Sequence, residues 1–212
     1  MHAALSSSHH PIQAPSVIAM PGFCRPQQIT LFSADSEIYA QGDRSGSLHR
    51  IEFGAVRIYR LLADGRRQVV AFHFAGETFG FEADRTRSFF AETMVETGLR
   101  TVGGSTNDQP APDLMTLALR GMIRAQEHLL VVGRQSAVEK LAVFLIDLAE
   151  RQGDIDQIDL PMTRTDIGDY LSMTIETVSR SFSKLRASGI LRLRTSRCVE
   201  ILKPEALRRL SK

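Results

Sequence analysis

Between Ile29 and Val102 the apolar positions come in short bursts, punctuated by Gly42, Gly46, Gly54, Gly65, Gly76 and Gly80. Val56 and Ile58 flank Arg57, and Val70, Phe72 and Phe74 alternate with Ala71 and His73, the period of two of a half-buried strand. Asp64-Gly65 between these runs is a hairpin signal, because glycine tolerates the positive φ of a tight turn. Strands at such short intervals predict a small barrel or jelly roll. Gly103-Gly104-Ser105 and Pro110 with Pro112 end the strand region, and a helix is predicted from near Asp113, its cap, to Val132.

Two apolar stripes run along that helix. Leu114, Ala118, Gly121, Ala125 and Val132 lie on one face, small enough for a close helix crossing, while Met115, Leu119, Met122 and Leu129 lie on the adjacent one. A helix wet on one side needs one stripe. Two predict packing on the chain's own barrel and on a partner subunit of a two-fold homodimer, the alternative being a central core helix of a monomer. A second helix is predicted from Ser136 to Arg151, where Val138, Leu141, Ala142, Leu145, Leu148 and Ala149 recur at helical spacing, with Ser136 and Glu139 as a capping box and Gly153 as its stop. The acids that follow, Asp154, Asp156 and Asp159, lack the glycine and glutamate of a calcium loop and read as a solvated connector.

Met162 to Arg180 has the grammar of a helix-turn-helix. Thr165 to Leu171 is a short helix, Ser172-Met173 a turn, and Thr174 caps a second helix that runs to Ala187 and ends at Gly189. Ile167, Leu171, Ile175, Val178, Phe182 and Leu185 are the expected packing positions, which leaves Glu176, Thr177, Ser179, Arg180, Ser181 and Lys184 facing outward. A recognition helix needs this layout, since its N-terminal part enters the major groove while its other side is buried. Ile190 to Arg194 and Cys198 to Leu202 then alternate around Thr195-Ser196, a two-stranded wing that carries Arg192, Arg194 and Arg197.

Charge sharpens this picture. Residues 161–212 hold 11 Lys and Arg against 5 Asp and Glu, a net of +6, leaving 15 against 19, or −4, for residues 1–160. A basic segment on a mildly acidic body fits a polyanion-binding module carried by a second domain, with a merely solvated surface as the alternative. At 212 residues, 43% hydrophobic and 24% charged, the chain has the balance of a soluble globular protein of one large or two small domains. No apolar run approaches the roughly 18 residues of a membrane span. Residues 1–27 are expected to form a flexible tail without a secretory signal, and His2, His9 and His10 in it are weak metal candidates. Two cysteines, Cys24 and Cys198, are too few for a disulfide framework, so an intracellular, cytoplasmic protein is expected. His49 and His73 fit the strand pattern as satisfied histidines rather than ligands.

Barrel, long helix and C-terminal winged helix together resemble the CRP/FNR superfamily of bacterial transcription regulators, over about residues 28–210. The most specific stretch is Thr163-Arg164-x-Asp166-Ile167-Gly168 followed by Glu176-Thr177-Val178-Ser179-Arg180. Its Glu-x-x-Ser-Arg spacing resembles the FNR and FixK branches; the cyclic-AMP receptor branch has glycine where Ser179 stands. The resemblance implies an α+β chain, with a cyclic-nucleotide-binding-like β-barrel (jelly roll) over 28–107, a dimerisation helix over 108–133 and a winged helix-turn-helix over 134–212. It also implies a homodimeric activator, not an enzyme, that reads a TTGAT-N4-ATCAA-like palindrome in double-stranded DNA and works with RNA polymerase, in low-oxygen or nitrogen-fixation gene control.

The chemistry of the residues agrees. Arg180 suits bidentate reading of guanine O6 and N7, Glu176 accepts from a cytosine amino group, and Ser179 meets thymine or its neighbour. Thr163, Arg164, Thr174, Thr177, Ser181, Lys184, Arg194 and Arg197 are the expected phosphate contacts. By resemblance, the hairpin Asp64-Gly65-Arg66-Arg67 is a candidate polymerase-touching surface, although relatives often carry acid there.

Control is less legible. The FNR branch places three cysteines of its iron–sulfur cluster in an N-terminal extension, where this chain has only Cys24, so no cluster is expected and the FixK-like branch fits better. A cyclic nucleotide would be held by a Gly-Glu turn and an Arg-Ser pair. Gly76-Glu77 and Arg87-Ser88 are present, yet Phe89-Phe90-Ala91-Glu92 departs from the nucleotide cassette. The barrel is therefore expected to serve as a scaffold without cofactor, with an effector-gated regulator as the alternative. A cupin-like metal enzyme, the third class, lacks a His-x-His-plus-carboxylate set, and no metal is expected. Cys198, beside Arg197 and near Arg194, is either a redox-sensitive thiol or a small buried strand residue.

Overall fold

The computed structural model describes residues 28–102, 114–153 and 156–211. The expectations for His2, His9, His10, Cys24, the 103–112 boundary, Asp113 and Asp154 fall outside the described residues.

Eight strands open the chain: β1 (Ile29–Phe32), β2 (Glu37–Tyr39), β3 (Leu48–Phe53), β4 (Ala55–Leu61), β5 (Arg67–Phe74), β6 (Thr78–Phe79), β7 (Phe90–Thr93) and β8 (Thr97–Val102). They form two antiparallel sheets, ordered β1-β8-β3-β6 and β2-β7-β4-β5. Ile51, Phe79 and Leu99 of the first close on Tyr39, Val56, Ile58 and Ala91 of the second, which makes the barrel core. The β4–β5 hairpin turns where expected, with Gly65 at φ +80°.

The outer face of the second sheet is covered rather than wet. Between Ile58 and Tyr59 a bulge shifts the register, so Ile58 faces Ala71 while Tyr59 faces Val69 and Val70 is the extra residue. Val70 and Ala71 pack on the barrel core, whereas Val69 and Phe72 turn outward into a second and larger cluster. The alternation expected of Val70, Phe72 and Phe74 is thereby broken. That second cluster is built with the helices of the C-terminal part, each large side chain in it contributing about 1.5–3 kcal/mol.

Those helices are α1 (Leu114–Val132), α2 (Ala137–Gln152), α3 (Arg164–Leu171), α4 (Ile175–Ala187) and α5 (Pro204–Leu210). Leu141, Phe144, Leu145 and Leu148 of α2 bridge Ala55, Val69 and Phe72 of the barrel to Ile167, Leu171, Val178 and Leu185 of α3 and α4. The C-terminal sheet has three strands, β9 (Gln157–Asp159), β10 (Leu191–Leu193) and β11 (Cys198–Ile201), in the order β10-β11-β9. The expected two-stranded wing thus gains a third strand from the acidic connector, in which Asp159 pairs with Cys198 and the Ile158 side chain is buried.

Helix α1 departs from expectation. No residue of it is buried, and Met115, Leu129 and Leu130 are 69%, 71% and 74% exposed. Neither apolar stripe lies on the chain's own barrel. Its attachments include an ion pair from Arg124 Nη1 to Glu77 at 3.0 Å, a stack of His128 on Tyr170 at 3.9 Å, and Val131 against the larger core cluster. Members of the two expected stripes alternate instead in one seam, Met115, Ala118, Met122, Ala125, Leu129 and Val132, at the 3-4-3-4-3 spacing of a coiled-coil surface, with Leu114 and Gly121 beside it. No helix among the described residues is long and apolar enough to cross a membrane.

Candidate nucleic-acid interface

Helix α3 begins with a capping box. The Thr163 side chain accepts from Asp166 N at 3.1 Å, and Asp166 Oδ2 accepts from Thr163 N at 2.9 Å. It ends at Ser172, held at φ +54°, with Met173 N donating to Gly168 O at 2.9 Å. Gly168 is needed there, since a Cβ would stand 2.6 Å from Met173 O. This tight turn sets α4 against α3, and Thr174 caps α4 by accepting from Thr177 N at 3.2 Å.

One face of α4 is buried through Val178, Ser181, Phe182 and Leu185, the i, i+3, i+4, i+7 pattern of an amphipathic helix. Two expectations change accordingly. Ser181, expected on phosphate, is buried, and its Oγ donates to Thr177 O at 2.8 Å. Ile175, expected to pack, is exposed, because the buried face begins one turn later. Glu176, Ser179, Arg180 and Lys184 stand in solvent on the opposite side, as the base- and phosphate-contacting assignment requires, with Thr177 half-buried beside them. The Glu176 carboxyl is held below the usual carboxylate range by its own backbone N–H, then by the Thr174 hydroxyl and the Arg180 charge. It is therefore an ionised acceptor at neutral pH.

Arg164 is less available than its motif position suggests. Its guanidinium lies 3.4 Å from the centre of the Phe182 ring, half-buried, and burial pushes its pKa down to about 10. Its Nη1 is buried without a hydrogen-bond partner among the described residues, so the group is desolvated yet still cationic at neutral pH. Thr163 and Thr174 are exposed, but each hydroxyl already serves as a helix cap.

In the wing, Glu200 Oε2 receives both Arg192 Nη1 at 3.3 Å and Arg194 Nε at 3.1 Å, while Arg197 is exposed. Cys198 is half-buried on β11, neither fully accessible nor part of the core.

The residues expected to hold an effector are engaged by partners in the barrel and on α1 and α2. Glu77 accepts from Arg151 Nη2 at 2.9 Å, from Arg124 Nη1 at 3.0 Å and from His73 Nδ1 at 3.1 Å. Burial opposes its ionisation, but the His73 hydrogen bond and the Arg151 charge prevail and bring its pKa down to about 2. Gly76 makes the positive-φ turn before it. Arg87 is buried, donating to Gly80 O at 2.6 Å and Ser47 O at 2.7 Å, and its guanidinium lies 4.1 Å from the Tyr39 ring centre. Ser88 donates to Glu82 through both N and Oγ, at 3.0 and 2.8 Å. His49 sits among Tyr39 and Phe79, where burial, with Arg87, pushes its pKa down to about 4. Among the described residues, no three His, Cys, Asp or Glu side chains gather as a metal-binding set.

A polar cluster between barrel and α3 was not legible in the sequence. Asp166, the capping-box acid, receives Arg67 Nη2 at 2.6 Å and Arg57 Nη1 at 3.4 Å, and Arg67 also reaches Asp169 at 2.9 Å. Of the basic hairpin expected to touch polymerase, Arg66 is exposed and paired with Asp64, whereas Arg67 is turned onto α3.

The Crp-like helix-turn-helix domain family matches residues 139–210, and the cyclic nucleotide-binding domain family matches residues 29–99. The nitrogen fixation regulation protein FixK of Rhizobium meliloti (strain 1021) is 50% identical over 210 residues, 99% of this chain and 99% of that protein. The protein of the same name from Azorhizobium caulinodans is 36% identical, over 98% of this chain and 85% of its own length. Among solved structures, FixK2 from Bradyrhizobium japonicum superposes with a TM-score of 0.79 at 36% identity, covering 87% of this chain and 98% of that one. The CRP-family regulator TTHB099 from Thermus thermophilus follows with a TM-score of 0.71 at 26% identity, over 86% and 96%. With both domain families in place and half its residues shared along the full length of such a relative, the chain belongs to the CRP/FNR family of transcription regulators, in its FixK-like branch.

Proposed function

We propose that the chain acts as a homodimeric activator that reads a TTGAT-N4-ATCAA-like palindrome, recruits RNA polymerase and needs no small-molecule effector, in nitrogen-fixation or low-oxygen gene control. The observation that carries the reading is the exposed set Glu176, Ser179 and Arg180 on the first two turns of a helix whose opposite face is buried. The names of the two FixK relatives support the gene class. The exposed seam of α1 supports the dimer, because an exposed apolar stripe marks an interaction surface and a second copy of the helix offers a self-complementary one. The exposed hairpin tip at Asp64 and Arg66 is the surface offered to polymerase.

Effector independence is supported by the commitment of Glu77, Arg87 and Ser88 to partners inside the protein. One observation favours the gated alternative: Arg87 Nε is buried with no hydrogen-bond partner among the described residues. Thermal denaturation with and without cyclic nucleotides separates the two, since a ligand that prefers the folded state raises the midpoint. The DNA reading is tested by selection from randomised duplexes with wild type and Arg180→Ala. The variant is expected to lose discrimination at one guanine per half-site, about 1–3 kcal/mol, and unchanged base preferences would show the register to be wrong.

A further inference from the structure

We propose that Arg57 of β4 and Arg67 of β5 form an ionic clamp on α3 that fixes the angle at which the helix-turn-helix unit is presented, and so sets the spacing between half-sites the dimer accepts. The inference rests on the dimeric DNA-reading function above and goes beyond it by assigning spacing to residues that never touch DNA.

The geometry has two ends. On the barrel side, Arg57 is buried and anchored by Glu92 Oε1 at 2.8 Å and by Asp35 at 3.1 Å, so its guanidinium belongs to the sheet. On the other side, the Asp166 side chain is only 2% exposed and has no freedom of its own, because Oδ2 is held by Thr163 N at 2.9 Å and by Thr163 Oγ1 at 2.7 Å. One carboxylate therefore closes the first turn of α3 and receives two guanidinium groups from the barrel. One turn further on, Asp169 takes Arg67 at 2.9 Å, and its carbonyl accepts from Gln68 Nε2. The next carbonyl, of Tyr170, meets His128 Nε2 of α1 at 2.8 Å. Both turns of α3 are thus tied to the barrel or to α1, and α4 is set on α3 by the tight Gly168–Met173 turn.

Buried ion pairs are weak sources of stability, because desolvation offsets most of the attraction, but each demands one geometry. The sheet already offers Val69 and Phe72 to the helices as apolar contacts, so charge at this position adds direction more than strength. The consequence is mechanical. Adding one base pair between half-sites moves them apart by about 3.4 Å and rotates one against the other by about 35°. The two helix-turn-helix units share that displacement, and each clamp resists its half.

The test uses the full-length protein with Arg67→Gln and, separately, Asp169→Asn. Both side chains are a quarter exposed, and circular dichroism and gel filtration establish that each variant is folded and dimeric before binding is measured. Affinity is measured by fluorescence anisotropy on palindromes with spacers of N3, N4 and N5, alongside base selection from randomised half-sites. Wild type is expected to prefer N4 at least about tenfold, and each variant to narrow that ratio at least about threefold while selecting the same bases. Taking the ratio removes the uniform loss or gain that comes from changing net charge near DNA. An unchanged ratio in both variants, whatever happens to their melting temperatures, overturns the clamp and leaves Arg57 and Arg67 as structural residues. A wild type indifferent to duplex sequence and spacing overturns the DNA reading itself and the clamp with it.

Discussion

Replacing Gly168 by alanine is the smallest change that tests how α4 is set. In the middle of a helix the substitution ordinarily helps, by about 1 kcal/mol, because alanine loses less backbone entropy. Here the added Cβ would meet Met173 O at 2.6 Å, against roughly 3.3–3.6 Å for a comfortable carbon–oxygen approach. Backbone rather than a side chain must give way, and the same turn is tied by the Met173 N to Gly168 O bond at 2.9 Å. Overpacking of this kind costs about 1–3 kcal/mol, so after the helical gain a net loss of up to about 2 kcal/mol is expected in urea denaturation. DNA affinity should fall by at least about tenfold, since the displaced turn carries Thr174 and Glu176 with it and base hydrogen bonds weaken steeply off-line. A Gly168→Ala protein with wild-type midpoint and affinity would refute the tight-turn account.

Lys184→Ala is expected to weaken binding to all duplexes about equally and to lower the salt slope by about one, as measured by titration at several salt concentrations, because a phosphate contact carries no sequence. Glu77 carries a depressed pKa of about 2, so its contribution is complete above its ordinary value of 4.5 and disappears as pH falls toward 2. Acid unfolding of Glu77→Gln should lack that component, on the order of 3 kcal/mol, and an acid limb identical to wild type would contradict the assignment. Peroxide oxidation of Cys198 would place negative charge beside the wing arginines, so wild-type DNA affinity should drop while Cys198→Ser keeps its own; equal losses would exclude the thiol.

The sequence read the helix-turn-helix well because the information there is local. The cap at Thr174, the Ser172 turn and the apolar spacing all act within one another's reach; the Thr163 capping box, local as well, starts α3 one residue before the expected Thr165. Ser181 was misplaced although a local signal existed: positions 178, 181, 182 and 185 share a face, and a serine able to bond the carbonyl four residues back fits a buried slot. The Arg57 environment had no such signal. A period of two says only that its face is the polar one, and the polar face of β4 is buried because another part of the chain packs over it. Likewise Gly76-Glu77 looked like a ligand turn, yet Arg124 and Arg151, some fifty and seventy-five residues away, supply the partners. The third wing strand was hidden in an acidic connector whose Ile158 is a single buried residue. In α1 the apolar positions are legible in the sequence, but periodicity alone does not say what covers them, and the expected packing of one stripe on the chain's own barrel is absent because no residue of the helix is buried.

The central claim is that two copies of the Glu176–Arg180 edge enter successive major grooves on one side of a duplex. Hydroxyl-radical and methylation-interference footprinting on a selected duplex, with chain stoichiometry from sedimentation of the same complex, tests it most directly. The account predicts two chains per duplex and two symmetric sets of guanine contacts centred about 34 Å apart. One chain per duplex, or protection without guanine interference, would contradict it.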